Sequence, residues 1–105
     1  MPRIISFDEL VAMPRGTVYW EYDPEIFTGM SVFVRPITHE GNQGPSDFWL
    51  ISLVPWKAFD KVRSGELLFA DSIERWGAFD FDQLFCVLDD DDMDLLKRRI
   101  NGETD

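Results

Sequence analysis

The chain has 105 residues, of which 45% are hydrophobic, and this is enough for one globular domain with a single core. Its 20 acidic residues outnumber 10 basic ones, and the net charge of −10 disfavours direct binding to nucleic acid or to anionic membranes, because like charges repel. No apolar run approaches the roughly 18 residues of a membrane helix and no signal peptide opens the sequence, so we expect a soluble protein.

The first predicted element is a short helix in "ISFDELVAMP". Ser6 and Glu9 have the spacing of a capping box, in which each side chain accepts a hydrogen bond from the backbone N–H of the other residue. Ile5 and Leu10 occupy the two positions of a hydrophobic staple. Pro14 is expected to end this helix after about two turns.

Two strands are predicted next. "TVYWEY" alternates, with Val18, Trp20 and Tyr22 on the drier face of a strand. "GMSVFVRPI" predicts a second strand, and Pro36 indicates a strand end or an edge there because proline lacks a backbone N–H.

The middle of the chain contains a loop, a buried strand and two less regular segments. "THEGNQGPSD" is typical of a loop. "FWLISLV" is apolar at all positions except its serine, as expected of a central strand that is covered on both faces. "PWKAFDKVRSG" predicts a helix, whereas "ELLFADSIERWG" is compatible with either a strand or a helix.

The end of the chain predicts a buried strand, "QLFCVL", followed by a helix from about Asp91 to Ile100 with Asn101 at its C-terminal cap. Met93, Leu96 and Ile100 form an apolar stripe expected to face the core. Together these elements predict an α+β domain, residues 1–105. It would be a mainly antiparallel sheet of three to five strands with two or three helices packed against it, including a C-terminal helix.

No catalytic set is evident in the sequence. Cys86 is the only cysteine, and its apolar neighbours predict a buried reduced thiol. As a nucleophile it lacks a base, because the only histidine, His39, lies in a Gly-rich loop. The sequence therefore predicts a protein that is not an enzyme.

The acidic run "LDDDDMD" does not fit a metal site. An EF-hand loop beginning at Asp90 would need Gly at position 95 and Glu at position 101, where Leu95 and Asn101 stand. Asp80 and Asp82 would extend Asp89–Asp92 into a carboxylate cluster for Mg²⁺, but no phosphate-binding loop accompanies them. We predict no metal and no cofactor.

Helix capping explains only part of the acidic run. Asp90 or Asp91 is expected to cap the last helix, and neighbouring carboxylates favour the positive end of its dipole. The surplus charge predicts a partner-binding surface with aromatic anchors beside it. Its predicted members are the acids Asp80, Asp82, Asp89, Asp90, Asp91, Asp92 and Asp94 and the aromatic residues Trp76, Phe79 and Phe81.

The motifs "ISFDEL", "MPRGTVYWEYDPEIF", "DFW" and "WGAFDFDQLFCVLDDDDMDLLKRRI" resemble those of small acidic bacteriophage and prophage proteins. The resemblance covers about two-thirds of the chain, carries no catalytic residues and implies a location in the cytoplasm of a bacterial host. Anti-CRISPR proteins and DNA mimics share the small size and acidic character.

These observations lead to two function hypotheses. The first is a non-enzymatic phage or prophage inhibitor that binds a basic surface of a host nucleic-acid-handling protein, such as a CRISPR effector. The second is an immunity-type or homodimeric interaction protein with no nucleic-acid-related target. Either protein would be a monomer or a homodimer without direct contact to nucleic acid or membrane.

Overall fold

In a computed structural model, the described part of the chain forms one antiparallel sheet and two helices. The structure describes residues 2–26, 28–41, 43–54 and 73–103. The helix predicted in "PWKAFDKVRSG" and most of the ambiguous segment "ELLFADSIERWG" lie outside these residues. Neither of the two described helices is long and apolar enough to cross a membrane.

The sheet has six strands in the order β1-β6-β2-β3-β4-β5. The predicted α+β class and antiparallel pairing are confirmed, but the predicted three to five strands are too few. The first and fifth strands have three and two residues, too short for a periodicity to be read from sequence. The elements are β1 (Arg3–Ile5), α1 (Phe7–Leu10), β2 (Val18–Glu21), β3 (Met30–Ile37), β4 (Asp47–Val54), β5 (Glu74–Arg75), β6 (Phe85–Val87) and α2 (Asp90–Ile100).

The capping box of α1 is confirmed. The Ser6 hydroxyl accepts a hydrogen bond from the Glu9 N–H at 3.2 Å, and the Glu9 carboxylate accepts one from the Ser6 N–H at 3.2 Å. The predicted two turns are wrong, because α1 ends at Leu10 after four residues. So short a helix is marginal by itself, and the burial of Phe7 and Leu10 holds it against the sheet.

One face of the sheet carries the core, and Phe48 lies at its centre. The Phe48 ring is 5.7 Å from the rings of Tyr19 and Phe33 and 5.2 Å from that of Trp76. Tyr19, predicted to lie on the wetter face of β2, is therefore part of the core, while Val18 is buried on the opposite face. The core members are Ile5, Phe7, Leu10, Tyr19, Phe33, Phe48, Leu50, Phe85 and Val87.

Two of the predicted strand features are explained by the register. Pro36 lies within β3, opposite Phe48 of β4, but β2 pairs with β3 only at Ser31 and Val32. Pro36 is thus in the part of β3 that extends beyond β2, where β3 is locally an edge as predicted. β6 is buried along its length and lies between β1 and β2, which confirms a buried strand in "QLFCVL".

Helix α2 has the predicted C-terminus but a different environment. Asn101 is the C-cap and Gly102 follows with a φ of +81°, the left-handed conformation that favours glycine. The predicted core-facing stripe is wrong, since Met93 and Leu96 are only half-buried and Ile100 is 75% exposed. An apolar stripe identifies one side of a helix, but it does not supply a surface for that side to pack on.

Candidate partner-binding surface

The acidic residues predicted to form one surface lie in two regions, separated by β6. Asp80 and Asp82 are in the turn before this strand, and Asp89–Asp94 follow it. Residues 83–88 run along the sheet, and at roughly 3.3 Å per residue they place the two groups on the order of 20 Å apart. We call residues 77–84 the acidic–aromatic loop and residues 89–94 the acidic helix start.

In the acidic helix start, two of the five aspartates serve the helix itself. The Asp89 carboxylate accepts a hydrogen bond from the Asp92 N–H at 2.8 Å, and the Asp92 carboxylate accepts one from the Asp89 N–H at 3.0 Å. The Asp92 N–H bond holds the pKa of Asp89 below its ordinary value.

The N-cap is therefore Asp89, and the prediction of Asp90 or Asp91 as cap is wrong. Asp89 alone sits where the chain leaves β6 with an extended backbone (φ −85°, ψ −176°), the conformation that an N-cap needs. Asp90, Asp91 and Asp94 are exposed and add negative charge at this end of the helix.

The acidic–aromatic loop alternates rings and carboxylates. Phe79 is 47% exposed and Phe81 is 53% exposed. The Phe81 ring meets the buried Phe7 ring edge-on with 5.1 Å between centroids, so half of this exposed side chain rests on the core. The Asp80 carboxylate accepts a hydrogen bond from the Asp82 N–H at 3.2 Å, which closes a tight turn between them.

Phe79 has an unusual backbone conformation. Its φ is +52°, a backbone conformation that residues other than glycine and asparagine rarely adopt, because their Cβ comes close to the neighbouring backbone. Its ring lies 5.8 Å from that of His39. The loop thus presents Phe79 at a conformational cost.

Trp76, the third predicted anchor, lies beneath the loop. Its ring stacks on those of Phe7 and Phe48 with 5.2 Å between centroids in each case. Its indole N–H donates to the Glu21 carboxylate at 2.9 Å. Trp76 is therefore half-buried support for the loop, whereas Phe79 and Phe81 are the exposed rings.

Asp47 forms a buried site that the sequence did not indicate. One carboxylate oxygen accepts hydrogen bonds from the backbone N–H groups of Phe48 at 2.8 Å and Gly77 at 2.9 Å. The other accepts from the Arg75 guanidinium at 2.8 and 3.0 Å. Burial raises the pKa of Asp47, but the two N–H groups and the guanidinium outweigh burial and hold it below its ordinary value.

The Asp47 site fixes the start of the acidic–aromatic loop. It joins the first residue of β4 to the last residue of β5 and to Gly77, which opens the loop. The partners are some thirty residues away along the chain, and no local motif connects them. The only local signal was a single carboxylate immediately before the apolar strand "FWLISLV".

His39 extends this network without creating a catalytic pair. Its Nδ1 contacts the Ser46 hydroxyl, and its Nε2 lies 3.3 Å from the Arg75 guanidinium. A guanidinium only donates, so neutral His39 accepts at Nε2 and carries its proton on Nδ1. Nδ1 then donates to Ser46, and His39 cannot take the Ser46 proton in this arrangement.

The remaining candidates for chemistry were Cys86 and a metal cluster. Cys86 is buried, and burial followed by the charge of Asp92 raises the pKa of its thiol, which favours the protonated, unreactive form. Within the described residues, no three His, Cys, Asp or Glu side chains are grouped so that they could hold a metal ion.

No protein-family model, curated protein or solved structure matches this chain. The resemblance to small acidic phage proteins therefore stays a prediction.

Proposed function

We propose that the chain is a non-enzymatic inhibitor that binds a basic surface of a host nucleic-acid-handling protein through the acidic–aromatic loop. One observation carries the proposal: Phe79 and Phe81 are half exposed and alternate with Asp80 and Asp82 in a loop held from below by Trp76 and by Asp47. Large exposed rings on a fixed support are unusual on a surface that binds nothing.

The two side-chain types of this loop have separate roles in binding. Phenylalanine rings that leave water on contact supply most of the interface energy. Carboxylates around them attract lysine and arginine, raise the association rate and select the register. A net charge of −10 extends this attraction over a longer distance at low salt.

The exposed carboxylates of the acidic helix start provide a second contact region. A partner that grips nucleic acid has basic side chains spaced along a groove, and two acidic regions on the order of 20 Å apart suit such an extended basic surface. The resemblance to phage and prophage proteins adds a bacterial host as the setting, and a CRISPR effector is one example of the target class.

The experiment is affinity capture from bacterial lysate with the tagged protein, followed by identification of the partner and by calorimetry with purified components. We expect a basic nucleic-acid-handling protein to be retained, and its activity to fall when the chain is added. The double variant Phe79→Ala/Phe81→Ala should weaken binding at least about a hundredfold, because interface hot spots commonly contribute 2 kcal/mol or more each.

The matched control is Ile26→Ala, which removes another side chain that is 48% exposed. Its binding should equal that of the unaltered chain. If the loop double variant stays folded and binds with unchanged affinity, the loop is not the contact surface. A chain that retains only further copies of itself, as a homodimer in light scattering, would contradict the proposal and favour the interaction-protein hypothesis.

A further inference from the structure

A polar cleft opens on the core-bearing face of the sheet, next to the hydrophobic core. It has a volume of about 260 Å³ and spans strands β2 to β5 and the residue after β5. Its polar lining consists chiefly of Tyr19, Glu21, Ser31, Ser52, Glu74 and Trp76.

The strand register explains how these side chains come together. Tyr19 is directly opposite Ser31, and Ser31 is directly opposite Ser52, so three hydroxyl side chains form one row across three strands. The Ser52 hydroxyl donates to the Glu74 carboxylate at 2.6 Å, which continues the row onto β5. A sheet face that packs a core does not need such a polar row, and alternating apolar residues would have extended the core instead.

Two carboxylates enter this cleft without a balancing cation among the described residues. Among the described residues, the Glu21 carboxylate accepts a hydrogen bond only from the neutral Trp76 indole N–H, and the Glu74 carboxylate accepts one only from the neutral Ser52 hydroxyl. Arg75 also lines the cleft, but its guanidinium is already paired with the buried Asp47 at 2.8 Å. The described lining of the cleft therefore carries a net negative charge close to the apolar side chains of Leu50 and Trp20, where charge is screened less than in water.

The Tyr19 hydroxyl adds a fixed polar group. Burial raises the pKa of Tyr19 well above its ordinary value, and this outweighs a hydrogen bond with the Ser31 side chain, which lowers the pKa. The nearby Glu21 and Glu74 charges raise it further, so the hydroxyl keeps its proton. Tyr19 is only 2% exposed, and core packing against Phe48 and Phe85 sets its position.

The size and chemistry of the cleft limit its ligand. The volume of this cleft lies just below the roughly 300–1,000 Å³ of usual small-molecule sites, which favours a compact group over a dinucleotide cofactor. Two carboxylates among neutral hydroxyls also make a poor cage for a hard cation, which prefers six or more oxygens. A single cationic side chain with several N–H donors fits both limits.

We propose that this cleft binds a guanidinium group, and specifically that of an arginine side chain presented by a partner protein. Its planar head offers five N–H donors, which match the acceptors of Glu21, Glu74 and the hydroxyl row better than a single ammonium does. The assignment of this arginine to a partner protein rests on the proposed function, in which the partner has a basic surface. The cleft adjoins the acidic–aromatic loop, because Trp76 lines the cleft and also supports the loop.

The test uses N-acetyl-arginine methylamide as the probe and the full chain labelled with ¹⁵N. The Trp76 indole N–H is the reporter, because it donates to Glu21 inside the cleft. We expect its resonance to shift and to saturate at millimolar probe. The same titration with N-acetyl-citrulline methylamide, in which a neutral urea replaces the guanidinium, should produce no saturable shift.

Two variants and one control locate the binding. Glu21→Gln and Glu74→Gln each keep the size of the side chain and remove one charge, and each should weaken arginine binding about tenfold. Glu103→Gln removes the same charge from an exposed position near the end of the chain and should leave binding unchanged. N-acetyl-lysine methylamide should bind more weakly than the arginine probe.

Several outcomes would overturn the proposal. These are the absence of a saturable Trp76 shift, an equal shift with the citrulline probe, or unchanged binding in both glutamine variants. A response to Mg²⁺ or Ca²⁺ but not to arginine would show a metal site instead. The Phe79→Ala/Phe81→Ala variant should bind the arginine probe normally, because its changes lie outside the cleft. If the unaltered chain binds the probe but captures no basic partner, the proposed function fails and the cleft stands. If it captures a partner through the loop but shows no saturable Trp76 shift, the cleft fails and the proposed function stands.

Discussion

The single carboxylate of Asp47 and the five carboxylates of the acidic helix start have opposite relations to the fold. Asp47 is fully buried, accepts four hydrogen bonds and joins β4, β5 and the acidic–aromatic loop. The acidic helix start is the most conspicuous feature of the sequence, yet Asp89 and Asp92 use their reciprocal hydrogen bonds to cap their own helix, and Asp90, Asp91 and Asp94 are exposed. A feature that is conspicuous in the sequence thus need not contribute much to the stability of the fold.

The difference arises from desolvation. A carboxylate taken out of water must have all of its acceptor capacity used, and the donors around it lose their partner if it is removed. An exposed carboxylate is solvated whatever its neighbours do, so its removal changes little. Substitutions at the two places should therefore differ widely in effect.

The largest effect is expected from Asp47→Ala. This change leaves the Phe48 and Gly77 N–H groups and the Arg75 guanidinium without their acceptor, and the free energy of unfolding should fall by about 3 kcal/mol. Urea unfolding followed by tryptophan fluorescence measures the loss. Asp94→Ala, which removes an exposed carboxylate, is the control, and a similar small change in both variants would contradict the comparison.

A pH titration should reveal the Asp47 contribution separately. The pKa of Asp47 in the folded protein lies below its ordinary value of 3.8, so the unfolded chain binds this proton more readily. The carboxylate therefore stabilises the fold fully above the unfolded pKa, and this contribution disappears as the pH falls through the folded pKa.

The measurement is the difference in unfolding free energy between the unaltered chain and Asp47→Asn. We expect this difference to be constant from about pH 7 to about pH 5 and to shrink below about pH 4. Asp89 also has a lowered pKa, but it is present in both chains and cancels. A difference that grows on acidification would show that the sign of the Asp47 shift is wrong.

A smaller and local effect is expected from Asp89→Ala. The variant loses the N-cap hydrogen bond to the Asp92 N–H, and hydrogen exchange of that amide should accelerate about fivefold, as typical cap energies imply. Asp90→Ala, whose side chain is exposed, should leave the same amide nearly unaffected. Equal acceleration in the two variants would mean that charge near the helix terminus, and not the cap bond, protects the amide.

The smallest effect is expected from the triple variant Asp90→Asn/Asp91→Asn/Asp94→Asn. Lost attraction to the helix dipole is offset by relief of repulsion among the carboxylates, so the free energy of unfolding should change by less than about 0.5 kcal/mol. A loss as large as that of Asp47→Ala would show that the exposed run has a structural role after all.

Features determined by neighbouring residues were predictable from the sequence. The capping box of α1, the C-cap at Asn101 and the buried strand β6 each depend on a few consecutive side chains, and the structure confirms them. β4 lies between β3 and β5, but its predicted coverage on both faces is wrong, because Trp49, Ile51 and Leu53 are only half-buried. The N-cap of α2 was not predictable, because four successive aspartates have equal capping ability and only the end of β6 selects Asp89.

Features that depend on distant residues were missed. The Asp47 site needs Arg75 and Gly77, and the cleft needs Glu21 of β2 and Glu74 of β5, which have two further strands between them. The same limitation explains why Trp76 was expected as an exposed anchor, since its position depends on rings from α1 and β4. Sequence patterns report which side of an element is apolar, but pairing of distant strands decides what that side meets.

The placement of β6 between β1 and β2 has a consequence for folding. In the described sheet, the only strand that pairs with β1 is β6, and paired residues such as Ile5 and Phe85 lie far apart along the chain. Contacts of such high sequence separation slow folding, because a long loop must close before they form. During synthesis, Ile5, Phe7 and Leu10 therefore cannot complete their part of the core until residues 85–87 have been made.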